Sequence, residues 1–263
     1  MGSAAAKRLL EGGWRVVGLD VADVPERENQ IFLRTDLGDP RAVEEAARAL
    51  REKGVTLDAI LHMAGLYDLN SLLEMPEEEF LRVWNVNLFG VYRVNRAFFP
   101  LLAPKARIVI TASELAPLHP LPFTGIYGIT KTALERYAES LRMELQLLGH
   151  PVIVLRPGAV DTGLIGDSVR RLNAFTESTK LYPVNAERFR RIVERVETRK
   201  IPPERIAKLA EKALTAKRPR YVYAINRNPG LLILNALPLR WQCGIIGRIL
   251  APGRKERKPE KTE

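Results

Sequence analysis

Apolar, β-branched segments alternate with amphipathic helical segments along most of the chain, and no other feature of the sequence constrains the fold so strongly. The alternation is clear at DPRAVEEAARALREKG, where Asp39 can cap a helix, Pro40 suits its first position, and apolar residues recur at helical spacing. Strands that alternate with helices are typical of parallel sheets, because a parallel pair needs a crossover connection. The order therefore predicts an α/β fold with a doubly wound parallel sheet.

The predicted segments follow one another from the start of the chain to about residue 226. Strands are predicted at residues 14–21, 30–37, 57–65, 106–113, 151–160 and 220–226. Helices are predicted near residues 4–11, 39–54, 76–102, 124–148 and 202–217. The sequence has 46% apolar residues and no Pro/Gly/Ser-rich linker, so residues 1–263 are expected to form a single domain, with an insertion at 163–200 and a basic tail at 251–263.

Cysteine usage and charge argue against several classes of protein. The single cysteine, Cys243, excludes a disulfide framework and a Cys-rich metal site, which favours a reducing, cytoplasmic location. His62, His119 and His150 match no metal-ligand spacing, so we expect no metal site. No secretory pattern and no apolar run of ~18 residues is found. Although the net charge is +10, acidic residues are interleaved with the basic ones, so no nucleic-acid partner is expected.

Chemically reactive side chains gather in ITASELAPLHPLPFTGIYGITK. Tyr127 and Lys131 are four residues apart at the start of a predicted helix, so they share a face, and the ammonium can lower the pKa of the phenol. Ser113 ends a predicted parallel strand, at the sheet edge where α/β proteins bind ligands. A Tyr-x-x-x-Lys pair also occurs by chance in helices, where Tyr packs and Lys reaches solvent. The strands that end in Ser113 and in RPG favour the chemical interpretation, in which three groups converge on one substrate oxygen.

At these residues the chain resembles the short-chain dehydrogenase/reductase superfamily of the Tyr-x-x-x-Lys type, and the resemblance covers nearly the whole chain. YGITK is similar to the family signature, Ser113 to its catalytic serine, and Asn87 in NVNLFG to the asparagine that supports a water-mediated proton relay. The resemblance implies a Rossmann-like fold and hydride transfer between a nicotinamide and a secondary alcohol or ketone carbon. Tyr127 would exchange the hydroxyl proton, Ser113 would orient the oxygen, and Lys131 would bind the nicotinamide ribose and lower the Tyr127 pKa.

The resemblance also implies a cofactor site. MAG is similar to the family's Asn-Asn-Ala-Gly stretch, although His62 and Met63 replace both asparagines. Asp20 ends a predicted strand 18 residues after Gly2, where its carboxylate can accept hydrogen bonds from a ribose and repel a 2′-phosphate, which favours NAD over NADP. The residues expected to bind the cofactor are Gly2, Asp20, Asp36, Leu37, Ala64, Gly65, Tyr127, Lys131, Pro157, Gly158 and Thr162.

A further expectation from the resemblance concerns the start of the chain. Family members begin with an apolar strand and a Thr-Gly-x-x-x-Gly-x-Gly turn, and Gly2 falls on the last of those glycines. The first strand, which lies in the family between the strands at Trp14 and Leu57, would then be absent from this sequence. Roughly a dozen residues are expected upstream, the length that a strand and a turn require.

The sequence is compatible with two classes of substrate. The segment that covers the substrate in this family corresponds to residues 163–200, which carries nine Lys or Arg and five Asp or Glu. Apolar residues of this segment that could line a cavity are Leu164, Ile165, Leu172, Phe175, Leu181 and Phe189. An apolar alcohol of sterol or retinoid type and an acidic hydroxyacyl substrate both fit. The C-terminal RYVYAINRNPGLLILNALPLRW is similar to the hydroxysteroid and retinol dehydrogenase branch and favours the apolar class.

Alternatives also remain for catalysis and for partners. The alternative to an enzyme is a non-catalytic dinucleotide-fold scaffold or binding protein that is inactive because the N-terminal cofactor motif is truncated. Such a protein would not need all four catalytic candidates together. The apolar segment 231–250, with Arg240 and Arg248 nearby, has the composition of an interfacial membrane segment, whereas such segments more often close a substrate pocket or an oligomer contact. By resemblance we expect a small-molecule substrate and a homodimer or homotetramer paired through the two long helices.

Overall fold

Parallel strands form two sheets in the computed structural model, which describes residues 1–24 and 27–251. In the first sheet, β1 (Val16–Asp20) pairs with β2 (Gln30–Arg34). The strands of the second sheet are, in spatial order, β3 (Leu57–His62), β4 (Leu102–Thr111), β5 (Val152–Pro157) and β6 (Val222–Ile225). Every pairing is parallel, so the predicted α/β fold with parallel strands is confirmed. Within the residues that the structure describes, no backbone hydrogen bonds of a sheet join β1 to β3.

Helices cover both faces of the four-stranded sheet, because neighbouring residues of a strand point to opposite faces. Val109 of β4 packs in one apolar cluster with Ala210, whereas its neighbour Ile110 packs in another with Leu134. The first cluster involves α1 (Gly2–Glu11) and α8 (Pro203–Thr215), and the second involves α4 (Gly90–Phe98) and α5 (Gly125–Leu145). Helices on both faces confirm the doubly wound arrangement predicted from the alternation.

The two sheets share one apolar cluster. Val17 of β1, Ile60 of β3 and Val94 of α4 belong to it, together with α2 (Pro40–Glu52). As predicted, Asp39 caps α2, and its Oδ1 accepts a hydrogen bond from the Arg41 N–H at 2.8 Å. Side-chain packing against α2 and α4 therefore connects β1 and β2 to the rest of the molecule.

The helical region predicted at 76–102 contains an irregular turn. α3 (Glu77–Trp84) leads into a π-helical segment at Asn85–Phe89, which α4 continues. π-Helical turns inside longer helices are frequently found at functional sites. This one contains Asn87, whose side chain is fully buried.

The insertion at 163–200 folds into α6 (Gly163–Ser178) and α7 (Pro183–Glu197). The open cavity that was expected here is absent for three of its predicted lining residues, Leu172, Phe175 and Phe189. Their side chains are buried in an apolar cluster with Leu69 and Phe123, which belong to two loops. Of the other apolar residues expected to line a cavity, Leu181 is exposed, and the side chains of Leu164 and Ile165 lie outside the described part of the chain.

Two further helices end the described chain. α9 (Pro229–Asn235) lies against the loop that follows β4, where the His119 N–H donates to Asn235 Oδ1 at 2.9 Å. α10 (Leu239–Leu250) packs on α7, and Asn185 Nδ2 donates to the Leu250 carbonyl at 2.7 Å. Among the described helices, none has the length and apolar character needed to cross a membrane. Most of the basic tail, residues 252–263, lies outside the described residues.

Candidate active site

The candidate site residues lie where the parallel strands end. Ala64 and Gly65 follow β3, Ser113 follows β4, and Pro157 is the last residue of β5, with Gly158 next to it. Because the strands run in the same direction, these ends meet at one edge of the sheet, where ligands of open α/β sheets bind.

Ser113 and Tyr127 form the centre of this edge. Ser113 is buried, and Tyr127 lies in the first turn of α5, partly exposed. Burial raises the pKa of the Tyr127 hydroxyl, a hydrogen bond with the Ser113 side chain acts in the opposite direction, and the nearby Glu114 carboxylate raises the pKa further. Tyr127 therefore carries its proton at neutral pH.

Lys131 is buried beside this pair, and the expected lowering of the Tyr127 pKa by its ammonium is not what the structure gives. Its Nζ donates a hydrogen bond to the Thr111 carbonyl at 3.0 Å and lies 5.8 Å from the centroid of the Tyr127 ring. Burial lowers the pKa of Lys131 itself to about 8. The sequence shows only that Lys131 and Tyr127 share a helix face. In the folded chain, the cost of removing the phenolate from water has the largest effect on the Tyr127 pKa.

Asn87 connects the loop after β3 to the start of α5. Its Oδ1 accepts from the Leu66 N–H at 2.7 Å, and its Nδ2 donates to the Leu66 carbonyl and to Thr130 Oγ1, each at 3.0 Å. Thr130 Oγ1 in turn donates to the Tyr127 carbonyl at 2.9 Å. The Asn87 amide thus holds the turn that carries Tyr127, while its part in a proton relay stays a prediction.

The space beside Asn87 and Lys131 depends on a glycine. A Cβ atom at Gly65 would lie 3.3 Å from Asn87 Oδ1 and 3.4 Å from Lys131 Nζ, which is closer than ordinary van der Waals contact. A side chain at Gly65 would therefore crowd the Asn87 amide and the Lys131 ammonium, so this position favours glycine.

The residues expected to bind the adenosine side of a cofactor lie around the ends of β1 and β2. Asp20 is exposed at the end of β1, and its Oδ1 accepts from the Ala22 N–H at 3.1 Å. Asp36 Oδ1 accepts from the Gly38 N–H at 2.7 Å, and the Leu37 carbonyl accepts from the Arg93 guanidinium at 3.0 Å. Leu37 and Asp36 therefore belong to a braced turn next to Asp20.

Gly2 and Thr162 each stand at the N-terminal end of a helix. Gly2 begins α1 and faces Met63, since a Cβ at Gly2 would lie 3.5 Å from the Met63 Cβ. Thr162 is the N-cap residue of α6. The first N–H groups of a helix have no partner within it and favour anionic groups. Helix N–H groups, an exposed carboxylate and a buried ammonium are the donors and acceptors that a nicotinamide dinucleotide requires, so the residues present fit this cofactor.

Two neighbours of Tyr127 were not predicted from the sequence. The Tyr67 ring packs edge-on against Tyr127, with the ring centroids 4.5 Å apart. Glu114 is buried next to Ser113, and its Oε2 accepts from the Asn228 N–H at 2.6 Å, which ties the start of α9 to the site. The sequence could have pointed to these two residues only through their positions. Tyr67 comes shortly after the MAG stretch, and Glu114 comes directly after Ser113.

His62, to which no role was assigned, joins a buried polar chain. Its Nε2 is 2.7 Å from Asn95 Oδ1, and Asn95 Nδ2 donates to the Tyr137 hydroxyl at 3.0 Å. Burial lowers the pKa of His62 to about 4, with the hydrogen bond to Asn95 opposing and the positive charge of Lys131 reinforcing that effect. The imidazole is therefore neutral and braces β3 against α4 and α5.

A shallow apolar groove runs between the loop after Ser113 and the last two helices. It is lined by Leu115, Leu118, His119, Leu121, Leu231, Leu234, Asn235 and Gln242. The Leu115 N–H donates to Ser113 Oγ at 3.2 Å, so one wall of this small pocket, which has a volume of about 10 Å³, adjoins the serine.

Known proteins resemble this chain over more than half of its length. A family model described as short chain dehydrogenase matches residues 1–172. The chain is 28% identical over 182 residues to L-2,3-butanediol dehydrogenase of Corynebacterium glutamicum, which covers 62% of this chain and 69% of that protein. It is 24% identical over 221 residues to 3-ketodihydrosphingosine reductase of Bacteroides thetaiotaomicron, which covers 84% of this chain and 81% of that protein.

Solved structures show the same fold. The ligand-free aldohexose dehydrogenase of Thermoplasma acidophilum superposes with a TM-score of 0.72 at 19% identity, covering 90% of this chain and 91% of that chain. At this identity the likeness concerns the fold alone.

Proposed function

This chain belongs to the short-chain dehydrogenase family, and from that premise we propose that it reduces the ketone, or oxidises the secondary alcohol, of a lipophilic small molecule with a nicotinamide cofactor. The observation that carries the proposal is the meeting of Ser113, Tyr127 and Lys131 at the carboxyl edge of the sheet, with Asn87 fastened to the same turn. The cofactor, when bound, supplies or accepts the hydride.

In the proposed reaction, Tyr127 moves the proton. Burial keeps the Tyr127 hydroxyl protonated, so Tyr127 can donate a proton to a ketone oxygen during reduction, and its phenolate would take the proton back from the alcohol during oxidation. Ser113, hydrogen-bonded to Tyr127, orients that oxygen. Lys131 places a positive charge beside the ring at 5.8 Å, where it would hold the nicotinamide ribose.

We propose NAD rather than NADP as the cofactor. The Asp20 carboxylate is exposed at the end of β1, where it can accept hydrogen bonds from a ribose and would repel a 2′-phosphate. The first turn of α1 at Gly2 would hold the pyrophosphate, and the turn at Asp36 and Leu37 would border the adenine. Ala64 and Gly65 after β3, Pro157 and Gly158 after β5, and Thr162 would border the rest of the cofactor.

An apolar substrate is supported better than an acidic one. Several basic residues of the insertion are paired with carboxylates: Arg171 with Asp68 and Glu79, and Arg190 and Arg191 with Glu187. Those pairs leave less positive charge for an anionic substrate. Tyr67 instead offers an apolar contact beside Tyr127, and one relative is a 3-ketodihydrosphingosine reductase.

We further propose that the protein pairs with a second copy of itself and that it functions in a reducing compartment. Tyr92 of α4 and Met143 and Leu147 near the end of α5 expose apolar surface that pairing through the two long helices would bury. The lone cysteine, Cys243, is exposed, which suits the cytoplasm.

The test is oxidation of NADH or NADPH by a panel of ketones, followed by the nicotinamide absorbance. The panel contains a long-chain ketone, a steroid ketone, a short diketone and a β-ketoacyl thioester. We expect turnover with a lipophilic ketone, and we expect Tyr127→Phe to lower kcat/KM by about 10²–10⁴-fold while NADH binding and the unfolding midpoint stay nearly unchanged.

Tyr92→Phe, which removes the hydroxyl of an exposed tyrosine, is the matched control and should keep its activity. If wild type binds NADH but turns over no ketone of the panel, or if Tyr127→Phe stays active, the proposed reaction is wrong.

A further inference from the structure

The last two helices expose several large apolar side chains. Ile233 of α9 is 70% exposed, Leu239 and Trp241 at the start of α10 are 54% and 63% exposed, and Ile249 near its end is 51% exposed. We call Trp241 and Ile249, with Ile245 between them on the same face of α10, the C-terminal patch.

The other side of the same helices is already occupied. Leu250 and Ile246 of α10 pack into the apolar cluster with α6 and α7, and Gln242 Nε2 donates to the Leu237 carbonyl at 2.7 Å. α9 is held by Asn235, whose Oδ1 accepts from the His119 N–H. Because these contacts fix one face of each helix, the C-terminal patch does not result from a loose end of the chain.

The exposed face of α10 combines apolar and basic residues in helical register. Trp241, Ile245 and Ile249 recur every four residues and therefore form one stripe along the helix. Arg240 and Arg248 are exposed beside the stripe. From residue 226 to residue 251 the sequence contains no Asp or Glu, so no carboxylate of this segment neutralises the two arginines.

We propose that the C-terminal patch docks on the surface of a membrane that contains anionic lipid. An apolar stripe that contains a tryptophan and has arginines beside it suits a bilayer surface. The apolar side chains can enter the boundary of the acyl chains, while the arginines bind lipid phosphates. With 12 residues, α10 is about 18 Å long, which suits a helix that lies in the surface.

A second copy of the chain fits the same face less well. In a two-fold interface the patch would meet itself, which would bring the Arg240 and Arg248 of both copies together without an acidic partner from this segment. Phosphate groups of lipids supply the missing negative charge. The proposal concerns binding alone and does not depend on the proposed reaction.

The test is flotation of the purified full chain with vesicles of phosphatidylcholine alone and of phosphatidylcholine with phosphatidylserine. We expect at least tenfold more bound protein with the anionic vesicles, a loss of binding at high salt, and a blue shift of the Trp241 emission, taken as the difference between wild type and Trp241→Phe.

Two paired variants separate the patch from the net charge of the chain. Trp241→Ser with Ile249→Ser, and Arg240→Glu with Arg248→Glu, should each lower vesicle binding at least tenfold. Arg48→Glu with Arg51→Glu, the same charge change at exposed positions of α2, should keep most of it.

Three outcomes would overturn the proposal. The first is that wild type binds neither vesicle. The second is that the apolar pair of substitutions leaves binding intact, which would mean that net charge alone is responsible. The third is that sedimentation velocity shows a dimer that Trp241→Ser dissociates while vesicle binding is absent, which would make the patch an interface between copies.

Discussion

The exposed carboxylate of Asp20 is the residue on which cofactor preference is expected to depend. In Asp20→Ala the repulsion toward a 2′-phosphate disappears, so the ratio of kcat/KM for NADPH to that for NADH should rise by about tenfold or more. Steady-state kinetics with both cofactors measures this ratio. Asp23→Ala, at another exposed carboxylate three residues on, is the control and should leave the ratio unchanged. An unchanged ratio in Asp20→Ala would mean that Asp20 does not determine the cofactor preference.

His62 gives the stability a pH dependence that can be stated with its sign. The unfolded chain titrates this imidazole near 6.5, whereas burial lowers the folded pKa to about 4. Between these values the unfolded state binds more protons, so the free energy of unfolding should fall as the pH drops from 6.5 to 4. The full loss is about 3 kcal/mol and is complete below the folded pKa.

Urea unfolding at several pH values tests this prediction. In His62→Gln the part of the acid destabilisation that comes from this residue should disappear, even if the variant is less stable at neutral pH. His119→Gln changes an exposed histidine and should retain the wild-type pH dependence. The same slope in wild type and His62→Gln would contradict a buried, neutral imidazole.

At the scale of elements, the π-helical segment Asn85–Phe89 connects the loop after β3 to α5 through Asn87. Asn87→Ala leaves the Leu66 N–H and carbonyl and the Thr130 hydroxyl without this partner inside the protein. Each unsatisfied buried group costs about 1–3 kcal/mol, so the free energy of unfolding should fall by at least that amount. Denaturant unfolding measures the loss.

Asn85→Ala is the matched control within the same segment. The Asn85 side chain is less buried and donates to the Gly38 carbonyl at 2.9 Å, so a smaller loss is expected. Equal losses in both variants would mean that the Asn87 amide has no special role in joining the loop to α5.

At the scale of the whole molecule, the two sheets should differ in local stability. β4 and β5 each have a hydrogen-bonded strand on both sides, whereas β1 and β2 pair only with each other in the described part of the chain. Amides of β1 and β2 should therefore exchange with solvent at least about tenfold faster than those of β4 and β5 in native-state hydrogen exchange. Equal protection in both sheets would show that packing against α2 and α4 compensates for the shorter ladder.

Several features of the fold and the site could be predicted from the sequence. The alternation of strands and helices, the cap at Asp39 and the continuous helical region before β4 depend on residue spacing and local propensity, which the sequence contains directly. The placement of Ser113 at a strand end and of Tyr127 in the first turn of a helix follows from the same spacing. Parallel strands then bring such residues to one edge, whatever the details of packing.

Only the tertiary structure decided how those residues behave. Lys131 shares a helix face with Tyr127, but its ammonium donates to the Thr111 carbonyl, and burial raises the Tyr127 pKa. Phe175 and Phe189, which the sequence left free to line a cavity, fill a core with Phe123. Spacing along the chain determines which side chains share a face. Desolvation and packing depend on which distant segments cover that face, and this is settled only when the chain folds.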